Sequence, residues 1–308
     1  MLHKYSFLPN FKISFFLAIA GLLLFSCNKF DGDQTIPSYI HIDKINLIDN
    51  PAINEGSLSN KITDAWVYVD DELIGAFELP ATFPVLKKGN HKISIYPGIK
   101  LNGISGTRVQ YDFYKKISIS DSILVEGNTT QLDTLYTSYK DESLINIWKE
   151  DFESSSINFQ KRALSDTSIS IIQTFNPANL FDVSPAGIVT IGPNQTKFEV
   201  EPRGDNFIFP KSSSPVFLEM NYKTNNTVYV GLLVYQTNQT IPSNQVSTIA
   251  LRPTTEWKKI YINFTPDIND YYNASSYKFF IGAAKDAGVQ TAEILFDNIK
   301  LVYFKTAK

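Results

Sequence analysis

The chain has 308 residues, 43% of them hydrophobic and 19% charged, with 22 Phe, 16 Tyr and 3 Trp, so it can bury a sizeable core, and its length suits two domains. Lys plus Arg number 28 against 31 Asp plus Glu, a net charge of -3 with no basic block, which excludes the footprint of a nucleic-acid-binding or polybasic membrane-binding protein. A single cysteine rules out an intrachain disulfide, a CxxC pair and a Cys-rich zinc site, and the three histidines, His3, His41 and His91, are too few for His-based metal chemistry.

Residues 1–12 carry Lys4 and Lys12 and no acid, and an apolar run from Ile13 to Phe25 follows them. The run is shorter than the roughly 20 residues of a spanning helix and has the layout of an export signal. Cys27 stands at its exit behind Leu24, Phe25 and Ser26, and this block resembles the lipobox of bacterial lipoproteins. The resemblance implies a signal peptide over residues 1–26 and acylation of Cys27 at its thiol and its new amino group. Phe25 departs from the small residue usual at that place. Each buried CH₂ of an acyl chain contributes about 0.8 kcal/mol, so the protein is expected to be anchored to a membrane without spanning it. Residues 27–35 are then a lipidated tether. Asp31 and Asp33 within it either belong to an ordinary solvated linker or resemble the acidic export signal of Bacteroidota-type lipoproteins, which implies the outer membrane and its outer face.

From Ile36 onward, short β-rich runs alternate with Gly, Pro, Asn, Asp and Ser, and no long segment has helical period, so the fold class is all-β. Strands are expected over Ala65 to Asp70 and His91 to Tyr96, with turn chemistry at Asp70-Asp71, Leu79-Pro80, Phe83-Pro84 and Lys88-Gly89-Asn90 between them. The stretch from Val67 to Gly98 resembles the PEGA family, which implies a small immunoglobulin-like sandwich without catalytic residues. Further strands at Lys115 to Ser120 and Thr130 to Tyr139 would complete a domain over residues 36–140. Asp121-Ser122-Ile123 and Asp133-Thr134-Leu135 resemble the O-glycosylation acceptor of exported Bacteroidota-type proteins.

A polar linker, residues 141–145, leads to a second domain over residues 146–308. Runs at Trp148 to Glu153, Ile169 to Thr174, Lys197 to Glu201, Val216 to Tyr222, Val228 to Tyr235, Glu256 to Thr265, Lys278 to Ala283 and Glu293 to Phe304 suit a β jelly roll. The opening Glu150-Asp151-Phe152-Glu153, the middle Glu256-Trp257-Lys258-Lys259 and the closing Phe296 to Leu301 resemble the galactose-binding-like jelly rolls that include many carbohydrate-binding modules.

The chemistry is sparse. Beyond the export signal only His41 and His91 remain, both before residue 141, so a Ser-His-Asp arrangement in the second domain is excluded. There is no phosphate-binding glycine motif. Glu150, Asp151 and Glu153 could in principle serve glycoside hydrolysis, but they stand at a domain entrance, and no enzyme is expected. In the last strand a strict period of 2 puts Asp297 on one apolar face with Leu295, Ile299, Leu301 and Tyr303, where an unpaired charge is costly. The jelly-roll resemblance implies a structural calcium there, held by Asp297 with Asp151 or Glu153. The alternatives are an ion pair with Arg203, Arg252 or a lysine, or a bulge that turns Asp297 to water. Tyr229 and Tyr235 share one strand face, and Trp257 and Tyr261 share another; such aromatics either stack on sugar rings or fill cores. Two functions therefore stand open: a lipid-anchored envelope protein that captures a glycan through its jelly roll, and a structural or assembly lipoprotein that contacts other envelope proteins.

Overall fold

The computed structural model describes residues 35–163, 165–166 and 171–306. Cys27, the export signal and the tether up to residue 34 lie outside the described residues. The N-terminal strands are β1 (Ser38–Ile42), β2 (Lys44–Leu47), β3 (Asp64–Val69), β4 (Glu72–Glu78), β5 (Ala81–Val85), β6 (Gly89–Lys100), β7 (Arg108–Gln110), β8 (Ile117–Leu124), β9 (Thr129–Gln131) and β10 (Thr134–Thr137). One sheet runs β4-β3-β6-β7 with β8 also on β6, and opposite it lie the sheets β5-β1-β9 and β2-β10. Alternate residues from both layers meet in one core, Ile40, Ile42, Phe83 and Val85 from one side and Val67, Val69, Ile93 and Ile95 from the other. The layers thus form a β-sandwich.

The C-terminal strands are β11 (Ile145–Glu150), β12 (Phe159–Lys161), β13 (Ile172–Thr174), β14 (Ala186–Ile191), β15 (Lys197–Pro202), β16 (Val216–Thr224), β17 (Val228–Tyr235), β18 (Asn244–Leu251), β19 (Thr254–Asn263), β20 (Ser276–Ala284) and β21 (Ala292–Phe304), with one short helix, α1 (Thr265–Asp270). They form a six-stranded sheet, β13-β14-β21-β16-β19 with β11 on β21, packed on a five-stranded sheet, β12-β15-β20-β17-β18. Val228, Val230, Leu232 and Val234 of β17 meet Leu218, Met220, Ile260, Ile262 and Leu301 of the facing sheet in the jelly-roll core.

Several strands escape a sequence pattern for identifiable reasons. β4 and β5 lie where only turn chemistry is expected; the turn at Asp70 and Asp71 does form, with φ of 51° and 64°, but it leads straight into β4. Pro84 is tolerated in β5 because that strand is the edge of its sheet. β18, NQVSTIAL, is a mostly polar edge strand with weak alternation.

The last strand departs from strict alternation. Between the pairs Glu219–Lys300 and Asn221–Asp297 the register shifts, one residue on β16, Met220, facing two on β21, Asn298 and Ile299, and Asn298 takes φ 52°. This bulge restarts the alternation: Ile294, Phe296, Ile299 and Leu301 all reach the core, while Asp297 turns to the outer face with Lys300. Asp297 therefore does not share a face with Ile299, Leu301 and Tyr303, and it does not reach water either, because its outer face is covered.

The cover is the N-terminal part of the chain. Ile145, Phe217, Tyr261 and Val302 of the six-stranded sheet pack against Leu47, Ile99, Tyr111, Phe113, Tyr114 and Tyr139. Hydrogen bonds fix the orientation: Asn102 N donates to Tyr261 O at 2.9 Å, Asn102 Oδ1 accepts from Asn263 N at 2.9 Å, and the Tyr261 hydroxyl accepts from Lys61 N at 2.9 Å.

Candidate functional site

The outer face of the five-stranded sheet is open at its Tyr229 end. Along β17 the side chains opposite the core are Tyr229, Gly231, Leu233 and Tyr235, as the period of 2 requires. Across the strands Glu199 of β15 faces Gly282 of β20, which in turn faces Tyr229, and the next row sets Phe280 against Gly231 and Ser247. The glycines keep this surface low. A Cβ on Gly282 would lie 3.3 Å from Glu199 Cγ, and one on Gly231 would lie 1.9 Å from Val246 O. The result is a cleft of about 460 Å³ lined by Lys197, Glu199, Tyr229, Gln245, Ser247 and Phe280. Tyr229 is 42% exposed, an aromatic ring offered beside a carboxylate, an amide and a hydroxyl.

The polar groups beside the ring are held from below. Arg162 Nε donates to Glu199 Oε1 at 2.7 Å and its Nη1 to Glu201 Oε2 at 2.6 Å. Gln245 Nε2 donates to Glu199 Oε2 at 2.8 Å, Gln160 Nε2 to Glu201 Oε1 at 2.7 Å, and Lys278 Nζ lies 3.4 Å from the same Oε1. Burial alone would raise the Glu201 carboxyl, but Gln160, Arg162 and Lys278 outweigh it and hold it below the usual carboxylate range. Tyr235, only 4% exposed, lies with Leu233 and Phe280 in a small apolar cluster that floors the network, and burial raises its hydroxyl pKa. Glu199 and Gln245 are thus oriented before any ligand arrives.

The aromatic pairs part company. Tyr229 borders the cleft and Tyr235 lies beneath its network. Tyr261 is a correction to the stacking-platform reading: it is 2% exposed, edge-on to Tyr111 with ring centroids 5.0 Å apart, because the N-terminal part covers it. Trp257, on the same strand, is half-buried and edge-on to Phe181 at 5.7 Å, on the opposite side of the jelly roll from Tyr229.

Asp151, Glu153 and Asp297 come within electrostatic reach of one another. Asp297 is fully buried; its Oδ1 accepts from Asn298 N at 2.7 Å and its Oδ2 has no hydrogen-bond partner among the described residues. Burial, with the charges of Glu153 and Asp151 adding to it, pushes the carboxyl up to about 7. Asp151 is only partly buried, with Lys149 Nζ 3.8 Å from its Oδ2, and Glu153 is exposed. Among the described residues no three His, Cys, Asp or Glu side chains gather closely enough to hold a metal ion. Glu150 is committed to the loop that follows it, accepting from Phe152 N at 2.8 Å and from Asn158 N.

A second cluster, absent from the sequence reading, lies under the N-terminal part. Glu219 Oε1 accepts from Tyr111 at 2.5 Å and from Tyr139 at 2.7 Å, and its Oε2 is 3.2 Å from Lys259 Nζ. Burial would raise this carboxyl, yet Lys259 and Lys300 hold it below the usual range. Lys300 Nζ donates to Ser57 O at 2.6 Å and sits 4.7 Å from the Tyr139 ring centroid; burial lowers it to about 8. The available signal was a charge inside each of three apolar runs, VFLEMNY, KKIYIN and DNIKLVY. Likewise, Glu199 and Glu201 alternating with Phe198 and Val200 marked an acidic outer face on β15.

No protein-family model and no curated protein matches the chain. Among solved structures it is similar to the family 11 carbohydrate-binding module from Clostridium thermocellum in complex with a β-1,3-1,4-mixed-linked tetrasaccharide, at 14% identity and TM-score 0.36, over 52% of this chain and 96% of that one. It is also similar to variants of the family 29 module CBM29-2, one complexed with mannohexaose at 12% identity and TM-score 0.34, over 52% of this chain and 92% of that one. Another, complexed with cellulohexaose, has 12% identity and TM-score 0.33 over the same shares.

Proposed function

We propose that the protein is a non-catalytic glycan-binding protein of the cell envelope, anchored to the outer membrane by lipid on Cys27 and using the open face of its jelly roll. The cleft beside Tyr229 carries the binding reading. A partly exposed ring gives a sugar a stacking face, Glu199, Gln245 and Ser247 give its hydroxyls acceptors and donors, and the glycine floor admits a flat ring. A docking surface for an envelope protein would instead be expected to be flat at its centre, whereas this face is a cleft with a carboxylate, an amide and a hydroxyl set beside the ring. The test is titration calorimetry with soluble plant and microbial polysaccharides. Binding to at least one polysaccharide is expected, weakened about tenfold by Tyr229→Ala, a loss of about 1.4 kcal/mol. Undiminished binding by Tyr229→Ala counts against the cleft, and binding to none favours an assembly role.

The anchor rests on the apolar run that ends at Cys27. Among the described residues no helix is long and apolar enough to cross a membrane. Cell fractionation checks the anchor: Cys27→Ala is expected to leave the membrane fraction, and a variant that stays there overturns lipid attachment at this residue.

A further inference from the structure

Four polar atoms on the covered face of the six-stranded sheet have no hydrogen-bond partner among the described residues: Lys259 Nζ, Asn221 Nδ2, Asp297 Oδ2 and Glu219 Oε2. They belong to neighbouring positions. Asn221 on β16 stands directly opposite Lys259 on β19 and directly opposite Asp297 on β21, and Glu219 lies two residues away on the same strand. Lys259 is 9% exposed and the other three are fully buried. Opposed residues of an antiparallel pair have Cα atoms about 4.5–5.5 Å apart, within the reach of a lysine side chain.

The two lysines of this face differ. Lys300 is engaged, donating to Ser57 O, whereas Lys259 Nζ makes no such hydrogen bond among the described residues; Glu219 Oε2 is 3.2 Å away and the Tyr261 ring centroid 5.7 Å. The amide opposite Lys259 is polarised: Asn221 Oδ1 accepts from the Ser59 hydroxyl at 2.7 Å, while its nitrogen is free. A buried amine, a carboxylate beside it, an amide with its oxygen held and its nitrogen free, and a second carboxyl in the same row are the components of an amide exchange.

We propose that Lys259 and Asn221 become joined by an intramolecular isopeptide bond once the two parts of the chain pack together. Lys259 gives a proton to the Asp297 carboxylate, while Glu219 stays ionised beside it, and the neutral Nζ attacks Cγ of Asn221. The Cγ–Nδ2 bond breaks and the Nζ–Cγ amide forms. Asp297 gives a proton to the departing nitrogen and takes one from Nζ, so the net change is the loss of one ammonia, with nothing oxidised or reduced. The Ser59 hydroxyl donates to the oxygen on which negative charge develops. Burial favours the neutral amine by lowering the Lys259 pKa, against the pull of Glu219, and cross-strand pairing makes the reaction unimolecular.

Tandem mass spectrometry of the digested, full-length folded protein decides the matter. The expected product is a branched peptide joining the segments around Asn221 and Lys259, lighter than their sum by one ammonia, with no cleavage by trypsin after Lys259. Lys259→Arg and Asn221→Ala should each abolish it, and Asn221→Asp should give the same branched peptide with loss of one water instead. Because the wild-type digest is read directly, an ill-folded variant does not obscure the result. Linear peptides that end at an unmodified Lys259, together with an intact Asn221, overturn the proposal.

Discussion

The two sheets of the jelly roll both turn charged side chains away from their common core, yet the charges meet different surroundings. On the five-stranded sheet Arg162, Glu199, Glu201 and Lys278 form a hydrogen-bonded lattice at the rim of an open cleft. On the six-stranded sheet Glu219, Lys259, Asp297 and Lys300 are sealed under tyrosines from the N-terminal part. Strand alternation is the same in both; what differs is the second layer laid over one of them. A polar outer face under cover must satisfy its charges internally, and one left open can use them on a ligand.

The sharpest way to break this comparison is Glu219→Ala. The substitution removes the carboxylate that Lys259 and Lys300 both attract and the acceptor of the Tyr111 and Tyr139 hydroxyls, all buried. A loss of about 3–5 kcal/mol in denaturant unfolding is expected, as when one partner of a buried charge cluster is deleted. A loss below about 1 kcal/mol would mean that water reaches this face and that the two surfaces do not differ in kind.

Asp297 gives a smaller effect with a definite sign. Its carboxyl titrates near 7 in the folded chain and near the ordinary 3.8 when unfolded, so between those values the folded form holds more protons. Stability is therefore expected to fall as pH rises from about 4 to about 7 through this group, and to fall no further above that. Asp297→Asn should match the wild type near pH 4 and exceed it by about 3–4 kcal/mol at pH 8, measured by urea unfolding at both. With Lys149 beside Asp151 and Glu153 in solvent, a proton suits this carboxyl better than an ion, and added calcium is expected to leave the midpoint unchanged. A midpoint raised by calcium and restored by chelator would place a cation there.

How much of this was readable beforehand follows from which forces are local. Alternation alone put Val228, Val230, Leu232 and Val234 on one face of their strand and Tyr229 on the other, because both follow from the pleat of a single strand; which face is inward is set by packing. The same rule failed at Asp297, since a bulge at Asn298 is invisible to periodicity and inverts every position beyond it. It also could not separate Tyr229 from Tyr261. Their strands look alike in sequence, and only the docking of residues 47–62, 99–114 and 139 decides that one ring is exposed and the other sealed. Gln245 and Ser247 were hidden because β18, a polar edge strand, carries little hydrophobic pattern to read.

On the open face, Arg162→Lys probes whether the lattice orients the cleft. A lysine cannot span Glu199 and Glu201 as the guanidinium does, with Nε on one and Nη1 on the other. Glycan affinity is expected to fall about fivefold, near 1 kcal/mol, with the unfolding midpoint little changed, since these groups retain other partners. An equal loss in stability would make the lattice a structural brace.

The smallest expected effect belongs to the cleft floor. Gly282→Ala adds one methyl between Glu199 and Tyr229, 3.2 Å from Phe198 O and 3.3 Å from Glu199 Cγ, tight but short of a clash that the carboxylate side chain cannot relieve. Alanine suits a strand better than glycine, which offsets that crowding, so stability should change by less than about 0.5 kcal/mol. Affinity should nevertheless drop about threefold, some 0.7 kcal/mol, because the methyl rises into the cleft between Glu199 and Tyr229. Unchanged affinity in calorimetry would show that the sugar stacks on Tyr229 alone and does not lie across the glycine row, which would move the binding surface toward β18 and the Ser247 edge of the sheet.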